Sequence, residues 1–203
     1  MQRARPYDRE AALDAALTLF WQKGYHATSL KDLEATLAMK PGSIYAAFTS
    51  KEKLFSLALE RYFEHNRAEF SAAMKKAESP LHGLAGFMRA LGRLTEDDPQ
   101  RRACMIVKTL LNSTAEDAAI SRQVEEYLDL MEAEMAVAFE RARQLGEIPD
   151  DADCRRLARR YQSDITALKI EAYRGVDPDE LVASADELAG KLEAMRVSEK
   201  SSL

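Results

Sequence analysis

The chain has 203 residues, 46% hydrophobic and 31% charged, with only 8 glycines and 6 prolines, a globular composition that excludes a disordered or fibrous chain. Its 29 basic and 34 acidic side chains leave a net charge of −5, which taken as a sum argues against a nucleic-acid partner. Cys104 and Cys154 are too few for a secreted disulfide framework, no apolar run reaches membrane-spanning length, and MQRARPYDRE lacks an apolar signal core, so a cytoplasmic protein is predicted.

No sustained period-2 run of β-branched residues occurs, and the predicted class is all-α. The first helix is expected from Asp8, a suitable N-cap, to Lys23, with Gly24 as its stop. Leu13, Ala16, Leu17, Phe20 and Trp21 give it one apolar stripe. Ser29 with Asp32 reads as a capping pair for a second helix ending near Leu37, with Leu30, Leu33 and Leu37 facing inward. The third spans Pro41 to Phe48, with Pro41 where a missing N–H costs nothing. Thr49 and Glu52 read as a T-x-x-E capping box for a long fourth helix reaching Ala77. A break at 79–83 precedes helices expected over 82–94, 102–114, 118–145, 152–174 and 178–196. The predicted domains are residues 1–51 and 52–203.

The segment from Thr28 to Leu54 carries the functional argument. Two short helices across a tight turn cannot build a core alone, but they suit a surface presented to a DNA major groove. Ile44 and Phe48 should anchor the third helix, while Ser43, Ala46 and Ala47, with Lys40 and Tyr45 at the edges, are small or hydrogen-bonding and fit close to base edges. Gly42 lets backbone approach a phosphate, and Thr28, Ser29, Tyr45 and Lys51 can donate to phosphates. Arg3 and Arg5 sit on an arm suited to the minor groove. Residues 1–51 hold seven basic and five acidic side chains, so the acidic excess lies in the rest. A helical interaction protein that binds no DNA is the alternative from another class.

The pieces from Leu19 to Ser29, Gly42 to Phe48 and Ser50 to Leu54 resemble the N-terminal domain of the TetR family of bacterial transcriptional regulators. The resemblance implies an N-terminal three-helix helix-turn-helix DNA-binding domain followed by a helical ligand-binding and dimerisation domain. It implies a homodimeric repressor released from a palindromic DNA operator by a small-molecule effector. Carried over by position, Tyr45, Lys51 and Thr28 match phosphate contacts, and Lys40, Pro41, Gly42, Ser43, Tyr45 and Ala46 match the base-reading surface. Ala38 stands where the family has a turn glycine, Lys40 where a hydroxyl is usual, and Ala47 where a histidine is frequent.

Beyond that domain, CMIVKTLLN places Cys104, Lys108 and Asn112 on one helical face, within a helix expected to be buried on nearly all sides. Lys108 either engages an anionic or carbonyl-bearing effector or is satisfied structurally. Cys104 reads as an inert small hydrophobe or, with Arg101 or Lys108 lowering its pKa, as an oxidant or electrophile sensor. Phe63, Phe87, Met105, Met131, Met135 and Ile165 are apolar at helical spacing and either line an effector cavity or form core, with Lys169 a further polar candidate. For the last two helices, Leu157, Tyr161 and Leu168 together with Leu181, Ala185, Leu188, Leu192 and Met195 give apolar faces that pair with a second copy or pack within one chain. His26, His65 and His82 have no metal-ligand spacing, and no phosphate-cradling glycine loop or serine-nucleophile motif occurs, so neither cofactor nor enzymatic activity is expected.

Overall fold

The computed structural model describes residues 8–94 and 103–197. Among them the chain forms nine α-helices and no strand: α1 (Arg9–Lys23), α2 (Leu30–Leu37), α3 (Pro41–Phe48), α4 (Lys51–Lys76), α5 (Pro80–Gly92), α6 (Met105–Asn112), α7 (Ala118–Gln144), α8 (Cys154–Arg174) and α9 (Pro178–Glu193). A 3-10 turn, Ala115–Asp117, precedes α7. No helix among the described residues is long and apolar enough to cross a membrane.

Contacts divide the chain into two compact units, Met1–His65 with Met105–Glu125, and Asn66–Cys104 with Glu126–Leu203. This division differs from the one drawn at residue 51. Residues that follow the first three helices by more than fifty positions complete the first unit, because their side chains bind the end of α1.

In the first unit the predicted caps form. The Asp8 side chain accepts from Glu10 and Ala11 N–H. Ser29 and Asp32 close a reciprocal capping box, and Gly24 ends α1 at φ 83°. Leu13, Ala16 and Phe20 of α1, Leu33 of α2, Ile44 and Phe48 of α3, and Leu54, Phe55 and Leu59 of α4 are buried together. Phe20 meets Phe55 edge-on at 4.9 Å. Arg61 of α4 donates through Nε and Nη2 to Asp14 and through Nη1 to Glu10, tying α4 to α1.

Three expectations are corrected here. The T-x-x-E box does not form, because Thr49 is spent in the turn that closes α3. It has φ 70° and ψ −52°, its N–H donates to the Tyr45 carbonyl, and Ser50 N–H donates to the Phe48 carbonyl at 2.8 Å. Ser50 Oγ takes over as the acceptor for the Lys53 N–H. α6 buries Met105, Ile106 and Thr109 but leaves Leu110 and Leu111 exposed, so its burial is one-sided.

The third correction concerns the second unit, where the α5, α7, α8 and α9 side chains share one core. Tyr161, Leu168, Leu181 and Ala185, read as pairing with a second copy or packing within one chain, are buried inside this unit. The Tyr161 hydroxyl donates to the Leu84 carbonyl at 2.8 Å, and burial pushes its pKa far upward. Leu181 and Ala185 lie at a close crossing of α5 and α9. A Cβ built on Gly92 would lie 2.5 Å from the Ala185 Cβ and 3.1 Å from the Leu181 carbonyl oxygen. Leu157, Leu188, Leu192 and Met195 stay half-buried and line a groove of about 320 Å³ with Arg160, Asp164 and Lys191.

Two stability measurements test these local assignments. Ala38 sits at φ 52°, ψ 37°, a left-handed cap that glycine adopts without a Cβ penalty. Ala38→Gly is expected to raise unfolding free energy by about 1 kcal/mol, read as a higher urea midpoint at unchanged slope. Gly92→Ala should cost about 1–3 kcal/mol, because α5 and α9 must separate to admit the methyl, and the same denaturation curve reads it.

Candidate nucleic-acid interface

The interface is built from the end of α1 outward. Thr28 Oγ1 donates to the Gly24 carbonyl at 2.7 Å, closing the turn that launches α2. The residue is fully buried, so the phosphate contact expected of it is corrected: its hydroxyl faces the protein. Ser29 is exposed, but its Oγ serves the capping box, donating to Asp32 Oδ2 and accepting the Asp32 N–H. Lys23 reaches the same carboxylate at 2.8 Å. Lys23, followed by Ser29, holds the Asp32 pKa well below the usual carboxylate value.

α2 ends at Ala38, and the chain turns into α3, where Lys40 is the N-cap without a side-chain capping bond. Pro41 has no N–H, and both Ser43 and Ile44 N–H donate to the Lys40 carbonyl, which leaves the Gly42 N–H at an open helix start. Ile44 and Phe48 are each 1% exposed. Lys40, Gly42, Ser43, Tyr45 and Ala46 are exposed and Pro41 is half-buried. The helix therefore spends two side chains on attachment and turns the rest outward.

Gly42 is informative because folding does not require it. Its φ is not positive, and a Cβ placed there meets nothing within 4 Å. A glycine inside a helix costs roughly 0.5–1 kcal/mol against alanine, so its use here points to something outside the chain that comes close to the backbone.

Lys51, the first residue of α4, lies with Nζ 4.5 Å from the centre of the Tyr25 ring, a cation–π geometry that fixes the ammonium beside the α3–α4 turn. Burial lowers the Lys51 pKa, with Asp32 pulling the other way. Burial, then Glu52 and Asp117, raise that of Tyr25. Arg3 and Arg5 fall outside the described residues, as does Arg101.

The effector candidates are divided between the two units. Phe63, Met105, Lys108 and Asn112 belong to the first unit, and Phe87, Cys104, Met131, Met135, Ile165 and Lys169 to the second. In the second unit Met135 and Ile165 are core, with Phe87 and Met131 packed against it. Lys169 is buried and donates to Asn66 Oδ1 at 3.1 Å. Cys104 is half-buried directly before α6, while Cys154 is buried with its thiol pKa raised by burial and by Glu140.

Lys108 bonds to backbone. Its Nζ donates to the Trp21 and Gln22 carbonyl oxygens at 3.1 and 2.9 Å, a cation set on the last turn of α1 where helix carbonyls lack partners. Asn112 Nδ2 donates to the Lys108 carbonyl. A second tie was missed in the sequence. His26 Nε2 lies 2.8 Å from Asp117 Oδ2, which also accepts from Thr114 N–H and Oγ1. The Thr114 N–H, against the opposing effect of burial and with further help from the Thr114 hydroxyl and His26, lowers the Asp117 pKa. The T-x-x-D spacing of Thr114 and Asp117 could have flagged the turn, but nothing in the sequence pairs it with His26.

Comparison with known proteins agrees with this geometry. The family described as bacterial regulatory proteins, tetR family, matches residues 12–58, and the tetracyclin repressor-like C-terminal domain matches residues 80–172. The HTH-type transcriptional repressor ComR of Escherichia coli (strain K12) is 30% identical over 186 residues, covering 90% of this chain and 89% of ComR. The repressor BdcR of the same organism is 45% identical over 60 residues, 30% of each chain. Among solved structures, a cysteine-substituted form of the TetR family transcriptional regulator CifR complexed with 26bp double-strand operator DNA has a TM-score of 0.83 at 26% identity, covering 96% of this chain and 100% of CifR. The fold, the outward-facing third helix and this similarity along nearly the whole chain lead to one conclusion: the chain belongs to the TetR family of bacterial transcriptional regulators.

Proposed function

We propose that this protein is a homodimeric transcriptional repressor that reads a palindromic operator with α3 and leaves it when a small-molecule effector binds. The observation that carries the reading is the outward face of α3, where Lys40, Gly42, Ser43, Tyr45 and Ala46 are exposed and Gly42 answers no need of the fold. Tyr45 and Lys51 act as phosphate clamps, and Ser29 adds its hydroxyl at the start of α2. Base edges are read from Lys40 to Ala46. The repressors among the relatives and the operator complex of CifR support this assignment. Work on operator DNA is work in the cytoplasm.

Residues 1–51 form the DNA-reading part, and 52–203 carry effector binding and dimerisation. Phe87, Met131, Met135, Ile165 and the buried Lys169 are the side chains in the second unit that a mainly apolar ligand with one polar group would meet. Self-association uses the outer face of α8 and α9. Ile170 and Tyr173, which the sequence pattern did not single out, leave 46% and 63% of their surface in water, and Gly190 has open space where a Cβ would stand. Half-buried Leu157, Leu188, Leu192 and Met195 supply a neighbouring groove for partner side chains. The two-fold pair sets its α3 helices about one DNA turn, roughly 34 Å, or slightly more apart. The effector favours a dimer in which that separation no longer fits.

Three measurements test the reading. Gly42→Ala should leave thermal stability equal or slightly higher while weakening operator affinity in an anisotropy titration, and unchanged affinity would count against close backbone approach. Lys51→Ala should weaken binding to all sequences alike and reduce the slope of log affinity against log salt by about 0.9. Sedimentation of Ile170→Glu, Tyr173→Glu should give monomers where the parent chain gives dimers, and a double variant that remains dimeric would remove α8 from the interface.

A further inference from the structure

Between the last turn of α1, the turn after it, α6 and the 3-10 turn lies a cleft of roughly 170 Å³ inside the first unit. Phe20, Met105 and Ile120 give it an apolar floor, and Lys108, Asn112, His26 and Asp117 give it a polar rim. Most of that rim is already committed. The Thr109 hydroxyl donates to the Met105 carbonyl and the Ser113 hydroxyl to the Thr109 carbonyl. Asp117 Oδ2 accepts from Thr114 and from His26, and Lys23 pairs with Asp32.

Lys108 differs from the others. Its two bonds go to neutral carbonyl oxygens, and among the described residues no carboxylate pairs with it. An ammonium has three N–H donors, so one remains. Asn112, which also lines the cleft, has a second amide hydrogen besides the one used on the Lys108 carbonyl. One cation without a carboxylate partner, one extra donor and an apolar floor match a single carboxylate on a small hydrophobic body. A doubly charged inorganic phosphate would need more donors than this cleft offers.

We propose that this cleft is a binding site for a small organic monocarboxylate, held by Lys108, and that its occupation weakens operator binding. The site is separate from the effector residues assigned to the second unit, and the proposal rests on operator binding through α3. The coupling follows from the dual engagement of Lys108. A carboxylate that draws its ammonium toward the cleft takes it from the Trp21 and Gln22 carbonyls, so the end of α1 loses its cap. The next link is the 24–28 turn, where Thr28 holds Gly24 and Lys23 reaches Asp32, and that turn sets where α2 and α3 begin.

The test uses the full chain, a labelled palindromic operator, and sodium benzoate as the probe, with benzamide and inorganic phosphate as controls. The arm without ligand establishes operator binding separately, and its failure would concern α3 and leave the cleft to be judged by stabilisation alone. In the parent protein, benzoate should raise the melting temperature saturably and weaken operator affinity by about 5- to 150-fold, the usual span of coupling between sites, while benzamide and phosphate should do neither. Lys108→Met should abolish both benzoate effects. Because that change also uncaps α1, Ala27→Leu provides a second variant that fills the cleft from its rim with Lys108 intact, and it should show the same loss. Equal stabilisation by benzamide, or benzoate effects that survive both substitutions, would overturn the site. Stabilisation by benzoate with unchanged operator affinity would overturn the coupling, and no response to benzoate at millimolar concentration would overturn the proposal outright.

Discussion

An eight-residue helix cannot hold itself in water, because its nucleation cost exceeds what its few hydrogen bonds return. α3 exists only because Ile44 and Phe48 are buried, and every other property of the interface follows from that attachment. Two inward side chains four residues apart fix which way the rest point. They leave Gly42, Ser43, Tyr45 and Ala46 outward, and the outward set must then be small or polar to remain in solvent. The turns at each end are under the same constraint. Ala38 takes a left-handed conformation and Thr49 a positive φ with a hydrogen bond across two residues, both unfavourable for side chains with a Cβ. The packing of the two anchors and the cap on Ser50 outweigh that strain.

The base on which α3 stands is itself held from a distant part of the chain. Lys108 places a positive charge on the carbonyl end of α1, an arrangement worth about 0.3–1 kcal/mol at an exposed helix end and more when partly buried. His26 and Asp117 join the turn after α1 to the turn before α7. Gln123 Nε2, donating to the Ser56 carbonyl, does the same for α4 and α7. None of these bonds is large, but each lies in the unit that carries α3. That arrangement explains why residues 105–125 join the first unit.

In the second unit the seven-residue recurrence of Leu181, Leu188 and Met195 has a meaning that periodicity cannot separate. A heptad stripe records that one helix face is apolar and leaves open whether its partner is the same chain or a copy. The Gly92–Ala185 crossing assigns Leu181 and Ala185 to the inside, and the half-buried Leu188, Leu192 and Met195 stand at the edge of that contact. Glu147 closes the other end of the unit. Its carboxylate accepts the Leu81 N–H at 3.0 Å and lies 2.9 Å from Arg196, joining the start of α5 to the chain after α9.

The sequence by itself determined what depends on neighbours along the chain. The all-α class, the caps at Asp8 and Ser29, the stop at Gly24, the bounds of α3 and its anchors Ile44 and Phe48 were legible, because capping and the 3.6-residue period act within a few positions. Tertiary structure decided what depends on the environment a side chain meets. Thr28 turned inward, Ser50 replaced Thr49 as a cap, and Lys108 met the carbonyl end of α1. Tyr161, Leu168, Leu181 and Ala185 were absorbed into the core, while Ile170 and Tyr173 were left in water. Hydrophobicity and charge along a chain say which groups need a partner, and only packing decides which partner arrives.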